Sequence, residues 1–106
     1  MDFDDYQEMT GKTAIYPKDK ALEYLSLKLC SEVGELAGAI GKYYRKDYDW
    51  DELKEKALFE LGDILWYMSE IAKLFNLRLM YIATRNLAKL AERKERGKIK
   101  GDGDNR

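Results

Sequence analysis

Apolar residues recur every three or four positions along most of the chain that follows Pro17, the only proline. From Leu22 to Tyr44, the steps between successive apolar positions are 3, 4, 4, 3, 4 and 4, which is the spacing of one face of an amphipathic α-helix. That face consists of Leu22, Leu25, Leu29, Val33, Leu36, Ile40 and Tyr44. Strand-like alternation is not sustained anywhere, so the pattern predicts an all-α fold with a first long helix over about residues 18–45.

A second long helix is expected after the polar break that holds Asp47, Asp49 and Asp51. Asp49 and Glu52, three residues apart, are typical of a helix N-terminus. Asn76 tolerates the left-handed conformation in which many helices end. The apolar face of this helix consists of Trp50, Leu53, Ala57, Ile64, Met68, Ile71 and Phe75. Two long helices with a short connection favour an antiparallel hairpin.

Shorter helical segments flank the two long helices. Residues 2–11 fit a short first helix, and a last helix is expected from about residue 78 to Gly97, because Gly commonly ends a helix. We therefore predict one helical domain over residues 1–97 and a Gly-rich, basic tail over residues 98–106. A chain of 106 residues is only marginally able to bury its apolar surface, so we also expect self-association.

Two pairs of acidic residues lie where the periodicity predicts apolar side chains. At about 100° per residue, Glu32 falls inside the apolar face of the first long helix and Glu35 falls on its edge. Glu60 and Asp63 fall among the apolar positions of the second long helix. A carboxylate turned toward a helical core costs several kcal/mol unless it is paired, protonated or bound to metal. We therefore predict that the four acids converge on a divalent cation, although neighbouring lysines could neutralise them instead.

The chain has no histidine and a single cysteine, Cys30, which narrows the chemistry. Ser-His-Asp and Cys-His catalysis, Cys/His zinc sites and the Glu-x-x-His sites of di-iron bundles are excluded. Oxygen ligands favour Mg²⁺, with Mn²⁺ as a possible substitute. One cysteine precludes an intramolecular disulfide, and the sequence has neither a membrane-spanning stretch nor a signal-peptide pattern. We therefore expect a cytoplasmic protein without membrane contact.

Charge is distributed unevenly along the chain. Residues 1–84 hold 11 Lys and Arg against 16 Asp and Glu, whereas residues 85–106 hold 8 against 4. An acidic body with a basic end does not favour a nucleic-acid polymer as partner, but it suits a metal-bound polyphosphate. Ordinary solvated surface charge would explain the same numbers.

Several motifs occur in a fixed order along the chain. The central one is Glu32-x-x-Glu35, a gap of 24 residues, and Glu60-x-x-Asp63. The others are Thr13-Ala14-Ile15-Tyr16-Pro17, Asp63-Ile64-Leu65-Trp66-Tyr67, Asn86-Leu87-Ala88-Lys89-Leu90-x-x-Arg93, and Arg96-Gly97 with the tail Gly101-Asp102-Gly103-Asp104-Asn105-Arg106. In this order and spacing they resemble the MazG-like nucleoside triphosphate pyrophosphohydrolases of the all-α NTP pyrophosphatase superfamily.

The resemblance implies a four- to five-helix bundle protomer in a homodimer or homotetramer, with sites near the subunit interfaces. It also implies that a nucleoside triphosphate is cleaved between its α- and β-phosphates to a monophosphate and pyrophosphate, with Mg²⁺ on Glu32, Glu35, Glu60 and Asp63. Glu35 is then the candidate general base, and Glu32 is the second candidate catalytic residue. Alternatives are a hydrolase of the same site directed at dUTP, dCTP or a guanosine alarmone, and a non-catalytic helical module whose acids bind a basic partner.

Candidate substrate contacts lie on the last helix and next to the second acidic pair. Lys89, Arg93 and Arg96 share one helix face at i, i+4 and i+7, where they could neutralise phosphates. Asn86, one turn earlier, could contact the sugar or the base. Tyr67 could stack on the base. A solvated basic face and an aromatic core are the competing interpretations.

Two further aromatic residues and two glycines accompany these motifs. Tyr16 and Trp66 are additional candidates for base contact. Gly34 and Gly62 cost a helix about 1 kcal/mol each relative to Ala, which we interpret as a requirement for close helix packing.

Overall fold

Four α-helices account for most of residues 1–97 and 99–100, which are the residues that the computed structural model describes. They are α1 (Phe3–Thr10), α2 (Ala21–Tyr44), α3 (Trp50–Leu74) and α4 (Leu79–Glu95). Short 3₁₀ turns at Gly11–Thr13 and Lys18–Lys20 connect α1 to α2. No strand is present in these ranges, which confirms the all-α prediction. Most of the predicted tail, residue 98 and residues 101–106, lies outside the described residues.

The helix boundaries follow the signals in the sequence. The Asp49 side chain accepts a hydrogen bond of 2.9 Å from the backbone N–H of Glu52, which caps the start of α3. Asn76 has φ of 56°, and Gly97 has φ of 68°, so both adopt the left-handed conformation just beyond a helix. The predicted ends of the second long helix, α3, and of the last helix, α4, are therefore confirmed.

The long helices α2 and α3 pair as an antiparallel hairpin across the loop at residues 45–49 and form the most extensive helix contact in the described chain. Leu25 on α2 is fully buried, and Leu53 on α3 is 6% exposed. Burial of these side chains stabilises the fold by about 25 cal/mol for each Å² of apolar surface that is removed from water. The other buried apolar residues are Ala21, Ala72 and Leu79.

The buried side chain of Gln7 holds helix α1 against the C-terminal end of α3. The Gln7 side-chain amide donates to the carbonyl oxygens of Leu77 at 2.9 Å and Ser69 at 3.4 Å. Its side-chain oxygen accepts the backbone N–H of Leu79, the first residue of α4, at 3.1 Å. Gln7 thereby satisfies backbone groups at the end of α3 and the start of α4. This contact sets where the N-terminal segment, residues 3–16, crosses α3.

The predicted apolar face of α2 is only partly covered within the chain. Leu22, Val33 and Tyr44 are 50%, 47% and 77% exposed, although the periodicity places them on the same face as the buried Leu25. The radius of gyration is 16.6 Å, against about 13 Å for a compact chain of this length. The described chain is therefore an open arrangement of four helices rather than a closed bundle.

The two glycines in the acidic motifs do not serve helix packing inside the chain. A Cβ atom added at Gly34 or Gly62 would have no described neighbouring atom within 4 Å. The interpretation that these glycines allow close helix contact within the protomer is therefore wrong. None of the described helices is both long enough and apolar enough to cross a membrane.

Candidate functional site

Three of the four predicted metal ligands converge between the two long helices. Glu32 on α2 and Glu60 and Asp63 on α3 each offer a carboxylate oxygen, and these three oxygens lie within 4.8 Å of one another. The one-turn spacing of Glu60 and Asp63 places both on the side of α3 that faces α2. A Mg²⁺ ion holds oxygen ligands at about 2.0–2.1 Å, so opposite ligands are about 4 Å apart. The three acids therefore fit a small, oxygen-ligated cation.

Two carboxylate oxygens of this group of three acids are buried. Among the described residues, neither Oε2 of Glu32 nor Oε2 of Glu60 has a hydrogen-bond partner. A buried carboxylate oxygen without a donor costs free energy, and two such oxygens on opposite helices oppose the pairing of α2 and α3. A bound cation would offset that cost at both positions.

Burial beside other acidic side chains raises the pKa of Glu32 to about 7, from its usual value of 4.5. The largest cause is burial, followed by the hydrogen bond that a protonated Glu32 would donate to the neighbouring Glu60 carboxylate. The charges of Glu35, Asp63 and Glu60 raise it further. Without a cation, Glu32 therefore retains a proton up to near-neutral pH.

The fourth predicted acid, Glu35, is placed differently. It is exposed one turn beyond Glu32 and is not a member of the group of three acids. It is nevertheless close enough for its charge to raise the pKa of Glu32. Its proposed roles as metal ligand and general base remain predictions.

A pocket of about 420 Å³ opens next to the acids. Glu32 and Asp63 lie on its lining, together with the predicted base-contact residue Tyr67. The remaining lining residues are Thr13, Ile15, Tyr16, Tyr24 and Trp66. Sequence reasoning named Tyr16 and Trp66 but missed Tyr24, although Tyr24 lies on α2 two turns before Glu32.

The aromatic side chains of this pocket hold one another in fixed orientations. Trp66 packs edge to face on Tyr67, with ring centroids 5.0 Å apart, and on Tyr16 at 6.3 Å. Tyr16 also stacks on Tyr24 at 5.9 Å, and the Lys18 ammonium lies 3.6 Å from the Tyr16 ring centroid. Together these rings form one aromatic wall of the pocket that contains Glu32 and Asp63.

The predicted phosphate contacts on α4 lie elsewhere in the chain. Asn86 and Lys89 line a separate pocket, Arg93 is only 3% exposed, and Arg96 forms an ion pair with Glu92. As far as the chain is described, none of the four predicted side chains lines the pocket that contains Glu32 and Asp63. The structure therefore does not bring the predicted basic face of α4 to the acids of the same chain.

A second buried carboxylate was missed by sequence reasoning. Glu70 on α3 is 1% exposed and accepts hydrogen bonds from Tyr16 Oη at 2.8 Å, Thr10 Oγ1 at 2.5 Å and Lys73 Nζ at 2.6 Å. Burial opposes ionisation of Glu70, but these hydrogen bonds outweigh burial and lower its pKa. The available signal was its position two turns after Asp63, on the same helix face.

The sequence resembles those of known proteins. The family model of the MazG nucleotide pyrophosphohydrolase domain matches residues 20–97, which include all four predicted acids. The chain is also 38% identical to the Gene 37 protein of Mycobacterium phage L5 over 115 aligned residues, and the alignment covers all of both chains. No solved structure matches.

Proposed function

This chain belongs to the MazG nucleotide pyrophosphohydrolase family, and on that premise we propose that it is a Mg²⁺-dependent nucleoside triphosphate pyrophosphohydrolase. It would convert a (deoxy)nucleoside triphosphate to the monophosphate and pyrophosphate. The observation that supports this most is the convergence of Glu32, Glu60 and Asp63, with two buried oxygens that lack partners among the described residues.

The proposed metal ligands are Glu32, Glu60 and Asp63, with Glu35 completing the set from the solvent side. When bound, Mg²⁺ supplies charge neutralisation and polarisation of the phosphoryl group. The substrate carries about four negative charges, so the acids would repel it in the absence of a cation. The carboxylates therefore serve binding only together with the metal.

Glu35 is the proposed general base, with Glu32 as the second catalytic residue. Glu35 is exposed and adjoins Glu32, so it can exchange its proton with solvent after accepting one from the attacking water. Glu32 lies deeper and orients the group of three acids from α2.

The aromatic pocket is the proposed site for the base and sugar. Tyr67 and Trp66 lie beside Asp63 and offer ring surfaces for a planar base. Burial is the largest cause that raises the pKa of Tyr67, and its neighbours Tyr24, Glu32 and Asp63 raise it further. The Tyr67 hydroxyl therefore stays protonated and can donate to the sugar or the base.

Phosphate contact by Asn86, Lys89, Arg93 and Arg96 would come from a second copy of the chain, since as far as one chain is described these residues do not line the acidic pocket. We propose a homodimer or homotetramer. The large apolar side chains exposed on the long helices support this assembly, since monomers seldom expose so many. They include Leu22, Leu27, Val33, Leu58, Phe59 and Leu61.

The test is a panel of nucleotides incubated with the purified protein and Mg²⁺, with release of pyrophosphate and nucleoside monophosphate as the readout. We expect turnover of at least one nucleoside triphosphate, and we expect EDTA to abolish it. Glu60→Gln should reduce kcat by at least about 100-fold while the protein stays folded, since it removes a metal ligand. Glu55→Gln, at an exposed acid of the same helix, is the matched control and should retain full activity.

The same panel discriminates among the alternatives. Turnover restricted to dUTP, dCTP or a guanosine alarmone would identify a specialised hydrolase with the same site. Absence of turnover, with no effect of Mg²⁺ plus a non-hydrolysable analogue on thermal stability, would favour the non-catalytic binding module and contradict the proposed function.

A further inference from the structure

The Glu70 carboxylate lies outside the group of three acids but is connected to the wall of their pocket. Asp63, Tyr67 and Glu70 follow one another at i, i+4 and i+7 on α3, so they share a helix face. Asp63 and Tyr67 line the pocket, whereas Glu70 is covered by the N-terminal segment. One face of α3 therefore carries two residues that line the pocket, Asp63 and Tyr67, and the buried Glu70.

The two oxygens of Glu70 hold the two ends of one segment, residues 10–16. Oε2 accepts from Thr10, the last residue of α1, and from Lys73. Oε1 accepts from Tyr16, just before Pro17. Burial, followed by the hydrogen bond to Glu70, raises the pKa of Tyr16 to about 12, so its hydroxyl remains a donor.

The segment between these two hydrogen bonds forms part of the pocket. Thr13, Ile15 and Tyr16 all line it. The Thr13 hydroxyl oxygen accepts the Trp66 indole N–H at 2.9 Å, and the Tyr16 ring packs on Trp66 edge to face. The orientation of the Trp66 ring therefore depends on where the segment lies, and the position of the segment depends on Glu70.

We propose that Glu70 is a positioning residue that, through Tyr16, holds segment 10–16 against α3 and fixes the Trp66 wall of the nucleotide pocket. This inference rests on the proposed function insofar as it concerns a planar base. A wall that is fixed before binding costs less entropy to order when the ligand arrives. Glu70 would therefore affect substrate affinity rather than the chemical step.

The substitution Glu70→Gln tests this because it keeps the size of the side chain. An amide has a single acceptor oxygen, whereas Tyr16 and the pair formed by Thr10 and Lys73 use separate oxygens. One end of the segment must therefore lose a charge-assisted hydrogen bond, since the amide nitrogen only donates and could replace it only by a neutral bond to a hydroxyl oxygen. Tyr16→Phe is the milder variant, since it removes only the hydroxyl and keeps the ring.

We expect both variants to raise KM by roughly five- to tenfold and to change kcat by less than about twofold, in line with the loss of one buried hydrogen bond. The double variant should raise KM no further than Glu70→Gln alone, because the two residues share one interaction. Glu55→Gln should match the wild type. Glu60→Gln should show the opposite split, with a loss in kcat.

A spectroscopic measurement tests the same inference without activity. In a Trp50→Phe background Trp66 is the only tryptophan, so its fluorescence and near-ultraviolet circular dichroism report on the pocket wall. We expect Glu70→Gln and Tyr16→Phe to change both signals, and Glu55→Gln to leave them unaltered. If no nucleotide is hydrolysed, the proposed function fails, but these spectra still decide the positioning role.

A purely structural role for Glu70 gives a different result. Thermal stability would then fall in Glu70→Gln, while KM and the Trp66 spectra of the folded protein would equal those of the wild type. That outcome would overturn the proposal. If Glu70→Gln does not fold, Tyr16→Phe decides, and wild-type KM and spectra in that variant would overturn it equally.

Discussion

Helix α3 contributes to two acidic sites, the buried Glu70 and the partly exposed group of three acids, which differ in how their charge is compensated. At Glu70, two hydroxyl groups and an ammonium group surround the carboxylate and lower its pKa. At the group of three acids, carboxylates face one another and the pKa of Glu32 rises to about 7. Where the chain provides donors, the acid holds the structure together. Where it leaves carboxylates facing one another, the arrangement fits a bound cation.

Addition of Mg²⁺ should have the largest effect, because it should raise the free energy of unfolding through the group of three acids and not through Glu70. Binding to the folded state alone raises the free energy of unfolding by about 2.7 kcal/mol when free Mg²⁺ is 100 times its dissociation constant. We expect a rise in the wild type, in Glu70→Gln and in the control Glu55→Gln, measured as the shift in Tm during a Mg²⁺ titration. Glu60→Gln should lose most of the rise. An equal shift in Glu60→Gln would contradict metal binding by the three acids.

Matched substitutions should then have opposite effects in metal-free protein. Glu70→Gln removes charge-assisted hydrogen bonds from a buried site and should lower the free energy of unfolding by about 2 kcal/mol. Glu32→Gln removes a carboxylate that is crowded by other acids, so it should raise stability slightly. Urea denaturation in EDTA at one protein concentration measures both. Equal losses in the two variants would refute the distinction.

The pH dependence of stability should also differ in sign. The folded-state pKa of Glu32 lies above its usual value of 4.5, so its contribution is largest below pH 4.5 and is lost as pH rises through about 7. The folded-state pKa of Glu70 is lowered, so its contribution is present above the usual pKa and is lost as pH falls through the folded value.

Denaturation of metal-free protein between about pH 3 and pH 8 would show stability rising from acid pH as Glu70 ionises (the acid limb) and declining toward neutral pH as Glu32 ionises (the neutral limb). Glu32→Gln should flatten the decline toward neutral pH, and Glu70→Gln should flatten the acid limb. An unchanged profile in either variant would assign that limb to other groups.

The smallest expected effect comes from the N-terminal cap of the helix that both sites share. Asp49→Ala removes the hydrogen bond to the backbone N–H of Glu52 and should cost about 1 kcal/mol of stability. Since the cap lies far along α3 from both carboxylate sites, the Mg²⁺-induced shift and the Trp66 spectra should remain those of the wild type. A lost Mg²⁺ response would show that the metal site depends on the helix terminus.

Local signals in the sequence were sufficient for the helices and for the principal acids. Asp49, Asn76 and Gly97 mark helix ends because capping and left-handed conformations depend on a few neighbouring atoms. Glu32 and Glu60 were identifiable because a charged residue on an apolar helix face is costly wherever the helix packs.

Other features could not be read from one helix at a time. Leu25 and Val33 occupy the same periodic face, yet only Leu25 is buried, because burial depends on which neighbouring helix covers each turn. Glu70 resembles any surface glutamate until the N-terminal segment is placed over it. The basic side chains of α4 share a face, but whether that face meets the acids depends on how α4 is oriented. In the described residues it does not line the pocket of the acids.

The sequence by itself determined the helical periodicity, the absence of histidine chemistry and the placement of acids on two apolar faces, since each depends only on residue type and spacing. The tertiary structure alone decided that three acids meet while Glu35 stays outside, and that Glu70 ties the N-terminal segment to the pocket wall. The physical reason is that compensation of a buried charge depends on distances of about 2.7–4 Å between atoms of different elements, the reach of hydrogen bonds and close ion pairs. Residue spacing along one helix does not specify those distances.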